Sequence, residues 1–290
     1  MFDIVGKRIW FFSITGVVVV ACSIFLAVFG LKAGVEFSSG SVMTIGFEEQ
    51  VDKEALQDEL AGLGYDNVII QETGNEEFLV RLPRLSSIEK TVLEEDLTVT
   101  FDTLVIREFD DVSEMVASET TRNAGIAVAV AAVGILLYIA WAFRRMPHPF
   151  HYGICAIVAL VHDSLVALGV FSLLGGIFGW EIDLKFVIGI LAVIGYSVNN
   201  TVVVFDRIRE NLIGDSKTPF ETIVNKSLIE TLTRSLNTSL TTLFVVIALM
   251  LFVGTVIQNF SVVLLVGILA GTYSSLFIAP SLLVVWRGNR

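Results

Sequence analysis

Six long blocks of apolar residues, separated by polar segments, dominate the pattern of the chain. They are Ile9–Leu31, Ala124–Phe143, Gly153–Phe178, Phe186–Phe205, Leu240–Ile257 and Phe260–Trp286. A helix of about 20 apolar residues spans the hydrocarbon core of a bilayer. The pattern therefore predicts an α-helical integral membrane protein with six transmembrane helices, in which 54% of the residues are hydrophobic.

The first block follows Lys7 and Arg8, as the apolar region of a secretory signal peptide would. It is longer than the roughly 7–15 residues of such a region, and no small-x-small cleavage pattern closes it. We therefore predict an uncleaved membrane anchor.

The segment between the first two blocks has the short patterns of a small α+β domain. The predicted elements are a strand at 41–47, a helix capped by Asp52, strands at Val68–Gln71 and Phe78–Leu82, a helix opened by the capping box Ser86–Glu89, and a strand at Val99–Ile106. The order β-α-β-β-α-β predicts a ferredoxin-like fold. We expect residues 1–32 to form the N-terminus and first transmembrane helix, 33–120 the extracytoplasmic domain, and 121–290 transmembrane helices 2–6 with a cytoplasmic loop at 207–237.

Charge is unevenly divided between these parts. Residues 33–119 hold 21 acidic and 5 basic residues, whereas the rest of the chain is mildly basic. With the N-terminus in the cytoplasm, the inner segments hold eleven Lys and Arg residues and the short outer loops hold only Lys185. This bias predicts a multi-pass plasma-membrane protein with both termini in the cytoplasm. The acidic outer domain argues against nucleic acid as a partner.

Two ionisable residues lie inside the third predicted span. Asp163 is 12 residues from His151 at the cytoplasmic edge, about 18 Å along a helix and so near the midplane. A carboxylate at that depth is typical of an ion pathway, although a protonated aspartate bonded to a neighbouring helix would also fit. His162 is adjacent and is expected to point about 100° away from Asp163, without partners for a metal.

Further polar residues lie in or near the fourth and fifth spans. Asn199 and Asn200 either bond across helices or contribute to an ion path. Asp206 marks the membrane boundary or extends that path. Arg234 either snorkels to the interface or reaches inward towards Asp163 or Asn200.

The remaining candidates are structural. Gly267 and Gly271 form a GxxxG motif that predicts a helix-packing face in the last span. Cys22 and Cys155 both fall in predicted spans, which predicts no disulfide, and neither has metal-ligand spacing. We predict neither a metal site nor a cofactor.

Five motifs, taken together and in order, resemble the SecF family. They are GVEFSSG at residues 34–40, HD at 162–163, EIDL at 181–184, GYSVNNTVVVFDRIREN at 195–211 and TRSLNTSLTTL at 233–243. The resemblance implies a six-span half of the RND-like type that pairs with a SecD-like subunit. Such a pair uses the proton-motive force, or a sodium gradient, to assist a SecYEG-type channel in the late translocation of preproteins.

The resemblance also implies roles for two positions, and this sequence departs from the family at one of them. Arg234 matches the functional arginine of the fifth span. Asn200 matches a position where the family usually has aspartate, and an amide cannot titrate near neutral pH. Three explanations stay open: a carboxylate of the SecD-like partner titrates, Asp163 has taken over, or the amide carbonyls help to coordinate sodium.

Three other functions lead to different expectations. An independent RND-type exporter half for lipids or small amphiphiles would share the spans but would be expected to carry an apolar pocket in its outer domain. An intramembrane hydrolase would need paired aspartates, a zinc motif or a nucleophile–base pair, and Ser164 and His162 are too close in sequence to face each other on a helix. A purely structural assembly factor would tolerate the loss of Asp163.

Overall fold

The computed structural model describes residues 3–47, 51–66, 68–74, 77–102, 104–144, 149–215, 217–253 and 257–288. The chain divides into two compact units. The membrane unit comprises residues 1–31, 127–180 and 185–290, and the sheet unit comprises residues 32–126 and 181–184.

Among the described residues, six helical segments are long and apolar enough to cross a membrane, which confirms the predicted number of spans. They are α1 (Arg8–Phe29), α5 (Glu114–Ala142), α6 (Pro149–Phe178), α7 (Leu184–Gly214), α8 (Phe220–Phe252), and α9 (Gln258–Tyr273) continued by a π-helical turn (Ser274–Ile278) and α10 (Ala279–Gly288). The sheet unit adds α2 (Val35–Ser38), α3 (Lys53–Gly62) and α4 (Ser87–Thr100).

The helices of the fourth and fifth spans each extend beyond their apolar block at one end. α7 continues to Gly214 and α8 begins at Phe220, so most of the segment 207–237, predicted as a loop, is helical. A run of apolar residues predicts only the part of a helix that lies in lipid. An amphipathic continuation of the same helix has no such run and is not predicted by it. α8 ends at Phe252, whereas the predicted end of the fifth span includes residues 254–256, which lie outside the described residues.

The sheet unit is built on four strands in the order β2-β3-β1-β4, every neighbouring pair being antiparallel. The strands are β1 (Gly40–Phe47), β2 (Ile69–Gly74), β3 (Glu77–Leu82) and β4 (Leu104–Val112). Alternate side chains of β1 and β3, among them Met43, Ile45 and Val80, form a core with Leu56 and Leu93 of the helices. One face of the sheet is thereby covered by α3 and α4.

Most of the predictions made from short sequence patterns in this unit are confirmed. The Asp52 side chain accepts a hydrogen bond from the Glu54 N–H, and Ser86 and Glu89 form the expected capping box. The last strand was placed too early, because α4 continues to Thr100 and β4 begins at Leu104. Val99 favours a strand by its type, but the burial of Leu97 one turn after Leu93 keeps this stretch helical.

Candidate functional site

Asp163, on α6, is completely buried in the membrane unit, where it accepts hydrogen bonds from two serine side chains and is hydrogen-bonded to the ring of His162. His162 Nδ1 lies 2.8 Å from Oδ1, and Ser274 Oγ donates to Oδ2 over 2.7 Å. Ser197 Oγ, on α7, also donates to Oδ2. A buried carboxylate without such donors would be strongly disfavoured, so these contacts let Asp163 exist inside the protein.

A change in helix geometry brings the last span to this carboxylate. Ser274 is the first residue of the π-helical turn between α9 and α10, a type of turn that is often found at functional sites. One turn earlier, Gly271 allows close approach. A Cβ at Gly271 would lie 3.2 Å from Ser197 Cβ and 3.5 Å from Asp163 Oδ2. Three helical segments thus converge on Asp163.

The expectation that His162 points away from Asp163 is wrong. Adjacent residues diverge at Cβ, but rotation of the imidazole brings Nδ1 to the neighbouring carboxylate. His162 is 7% exposed, and its ring lies 6.4 Å from the ring of Tyr273. The two residues therefore act as one polar unit.

A chain of hydroxyl groups crosses the neighbouring helices. Tyr196 OH donates to Ser239 Oγ over 2.8 Å, and the Ser239 and Thr272 hydroxyls are 2.6 Å apart. Tyr196 precedes Ser197 on α7, and Thr272 precedes Ser274 by two residues. The polar residues of α7, α8 and α9 thus form a hydrogen-bonded set beside the Asp163 contacts.

The two asparagines of the fourth span have opposite surroundings. Asn199 is exposed, whereas Asn200 is only 3% exposed and lies on the same side of α7 as Ser197, three residues earlier. Within the described part of the chain, Asn200 Nδ2 has no hydrogen-bond partner. The amide nitrogen of Asn200 is thus a buried donor that the described residues do not satisfy.

Arg234 and Asp206 line a different part of the membrane unit. A cavity of about 670 Å³ lies among α5, α7 and α8, and its lining includes Trp141, Asp206, Arg209 and Arg234. Arg209 pairs with Asp206 over 3.3 Å, whereas Arg234 is exposed and forms no ion pair within the described residues. The structure thus does not bring Arg234 to Asp163 or Asn200.

The charged end of the fourth span binds α7 to α8. Arg207 pairs with Glu230 over 2.8 Å and with Glu210 over 2.7 Å. The Asn211 side chain donates to Glu230 and to Ser227. These contacts explain the density of charge at residues 206–211 as a bridge between two helices.

No group of three or more His, Cys, Asp or Glu residues able to hold a metal occurs among the described residues. Gly267 faces α7, where an added Cβ would lie 2.1 Å from a methyl group of Val193. Gly271 faces Ser197 on the same helix. The GxxxG motif therefore lies at a close approach of α9 to α7.

Comparison with known proteins decides the family. Residues 92–289 match the family described as protein export membrane protein SecD/SecF, C-terminal. The chain is 44% identical to the protein translocase subunit SecF of Thermobaculum terrenum, over all of this chain and 95% of that protein. The chain belongs to the SecD/SecF family.

Longer members of the SecD/SecF family contain a region similar to the whole chain. The protein translocase subunit SecDF of Bacillus subtilis is 35% identical over 99% of this chain, which covers 38% of that protein. The crystal structure of SecDF from Thermus thermophilus is 32% identical, with a TM-score of 0.90 over all of this chain and 39% of that one. The chain thus spans about two fifths of the length of these SecDF proteins.

Two residues whose hydroxyl groups bond to Asp163 were not predicted from the sequence. They are Ser197 and Ser274. Ser197 could have been found, because it lies three residues before Asn200 and so on the same helix face. Ser274 could not, because the π-helical turn that aims its hydroxyl has no signature in the sequence.

Proposed function

We propose that this chain pairs with a SecD-like subunit and couples an ion gradient to the late movement of preproteins through a SecYEG-type channel. Its membership of the SecD/SecF family supports this function, since its relatives are named as protein translocase subunits. The observation that carries the coupling role is Asp163, which is fully buried and hydrogen-bonded to side chains from three helical segments. Ionisable residues in such positions are typical of ion pathways.

Asp163 is the residue of this chain that we assign to proton uptake. Asn200 cannot titrate, so it keeps only a hydrogen-bonding role. The oxygen atoms around Asp163 are joined directly by hydrogen bonds, for example 2.7 Å between Ser274 Oγ and Oδ2.

We expect Arg234 to form an ion pair with a carboxylate of the SecD-like partner. It forms no ion pair within the described residues, and it begins a stripe of exposed polar side chains on α8 that includes Asn237, Thr238 and Thr241. On α7, Asn199 and Asp206 are also exposed. Polar groups facing lipid are costly, so this polar stripe is expected to be covered by transmembrane helices of the partner.

The proposal also includes the membrane topology and the fold of the outer domain. The distribution of Lys and Arg supports cytoplasmic termini, a sheet unit on the outer side and a plasma-membrane location. The order of elements and the antiparallel strand order β2-β3-β1-β4 support a ferredoxin-like fold for residues 33–120.

The test is preprotein secretion with and without an ion gradient, in vesicles that hold the chain with its partner and channel. Asp163→Asn keeps the size of the side chain and one acceptor oxygen, but it replaces the other oxygen with an N–H donor and removes titration. We expect it to lower gradient-dependent secretion to the level seen without the gradient. Arg234→Met, which removes the charge at similar length, should do the same.

Ser23→Ala, at an exposed position of α1 whose hydroxyl bonds to its own helix backbone, serves as the control for a polar change within a span, and it should keep most of the gradient effect. Both test variants must be recovered with the partner in normal amounts. Normal gradient-dependent secretion by Asp163→Asn and Arg234→Met would overturn the assignment and favour a purely structural role.

A further inference from the structure

Two sequence motifs whose roles are still unexplained, at residues 34–40 and 181–184, meet in the sheet unit. Residues 181–184 belong to this unit although they lie between α6 and α7 in the chain. Ala33 and Ile182 form a parallel bridge, in which the Ile182 N–H donates to the Lys32 carbonyl over 2.8 Å and the Gly34 N–H to the Ile182 carbonyl over 2.9 Å. The segment is thus paired through its backbone with the start of the sheet unit.

A partly buried ion pair reinforces this backbone pairing. Arg81, on β3, lies 2.6 Å from Glu181 and also donates to the Ala33 carbonyl over 2.8 Å and to the Ser38 hydroxyl. The side chains of Arg81 and Glu181 are only 17% and 15% exposed. A pair so well shielded, with further hydrogen bonds on the guanidinium, has a defined geometry that exposed ion pairs lack.

Glu36 and Gly34 also lie against residues 181–184. The Glu36 carboxylate accepts a hydrogen bond from the N–H of Leu184, the first residue of α7, where a negative charge also favours the helix. A Cβ at Gly34 would lie 2.8 Å from the Ile182 carbonyl oxygen, so only glycine fits this approach without a shift. The contacts of Gly34, Glu36 and Arg81 with residues 181–184 are called the clamp below.

We propose that the clamp transmits movement of α6 and α7 to the sheet unit, with Arg81 and Glu181 as its positioning residues. This inference rests on the proposed coupling function. Asp163 lies on α6 and its donor Ser197 lies on α7, while only residues 179–183 connect the two helices. Protonation of Asp163 changes its contact with Ser197 and hence the fit of α6 against α7. A short connection held rigidly by the sheet unit would carry such a shift into that unit.

The experiment uses the full chain in vesicles with its partner and channel. Secretion is measured with and without an ion gradient for Arg81→Ala, Glu181→Ala, the reversed pair Arg81→Glu with Glu181→Arg, and Asp163→Asn. Arg107→Ala is the control, because Arg107 forms a more exposed ion pair with Glu77 in the same sheet, over 3.5 Å. We expect Arg81→Ala and Glu181→Ala to lose the gradient-dependent part of secretion and to keep the gradient-independent part. The reversed pair should recover part of the loss.

The outcomes separate this inference from the proposed function. Normal secretion by Asp163→Asn would overturn the proposed function. A defective Asp163→Asn together with normal Arg81→Ala and Glu181→Ala would overturn the clamp alone. Equal loss of both parts of secretion, or loss of the partner, would assign Arg81 and Glu181 a merely structural role and also overturn the clamp.

A disulfide gives an independent test that does not require removal of the ion pair. Ala33→Cys with Ile182→Cys, in a chain with Cys22→Ala and Cys155→Ala, would lock the bridge when oxidised. A clamp that transmits movement must remain closed, so the oxidised protein should keep its gradient-dependent secretion. A loss on oxidation that reduction reverses would show that the contact must open, and it would overturn the proposal.

Discussion

At the scale of single residues, Arg81 favours the ionised form of Glu181. Burial raises the pKa of Glu181 above its usual value of 4.5, and the neighbouring Arg81 guanidinium opposes that rise. An acid whose pKa is raised in the folded protein contributes stability at low pH, and this contribution is lost as the pH rises through the folded pKa. Arg81→Ala removes the opposing charge, so it should raise the pKa of Glu181 further and weaken the contact most at neutral pH.

The measurement for this residue is hydrogen exchange of the amides of residues 181–184 in the purified complex, as a function of pH. Arg81→Ala should give faster opening at neutral pH and a partial recovery of protection in acid, after correction for the intrinsic rate. Adding Glu181→Gln to Arg81→Ala should reduce the pH dependence of opening by the part that Glu181 contributes, while Glu36 and Asp183 keep their carboxylates. Equal protection in Arg81→Ala and the unchanged protein would contradict the assigned role.

At the scale of helices, glycines set how closely α9 approaches α7. A Cβ at Gly267 would collide with Val193, whereas one at Gly134, on α5, would meet nothing within 4 Å. Gly267→Ala should therefore cost about 1–3 kcal/mol of stability through overpacking, and Gly134→Ala should be close to neutral. Thermal unfolding of both variants in the same detergent measures the difference. Equal unfolding temperatures would mean that α9 adjusts without cost.

A structural element can be predicted from the sequence when it depends on residues that are close together in the chain. Apolar length is a property of one segment, and it predicted six spans. Capping boxes are also local, and the one at Ser86 and Glu89 was found. Contacts between distant segments have no such signal. The approach of Ser274 to Asp163 depends on a π-helical turn, and the pairing of Arg81 with Glu181 joins residues 100 positions apart. The candidate site could therefore be predicted at Asp163 but not around it.

At the scale of the whole molecule, the polar stripe on α8 indicates that the membrane unit is incomplete alone. Thr238 and Thr241 are exposed there, next to apolar side chains that are also exposed, such as Leu240 at 51% and Phe244 at 61%. In a bilayer, apolar side chains can face lipid without cost, but a row of polar ones favours contact with other helices. The stripe is thus a better marker of a partner than the apolar residues around it.

Bulk placed on this stripe should separate the subunits. Thr238→Trp is expected to reduce recovery of a SecD-like chain in gentle detergent purification from native membranes, because a large ring keeps the partner's helices from approaching. Val17→Trp, on an exposed position of α1 outside the stripe, is the matched control and should leave recovery unchanged. Mass spectrometry of stoichiometric partners provides the measurement. Equal recovery with both variants would place the partner on another face. Recovery of the unchanged chain alone would argue against the pairing itself, and the threonine hydroxyls of the stripe would then rely on their hydrogen bonds to the α8 backbone.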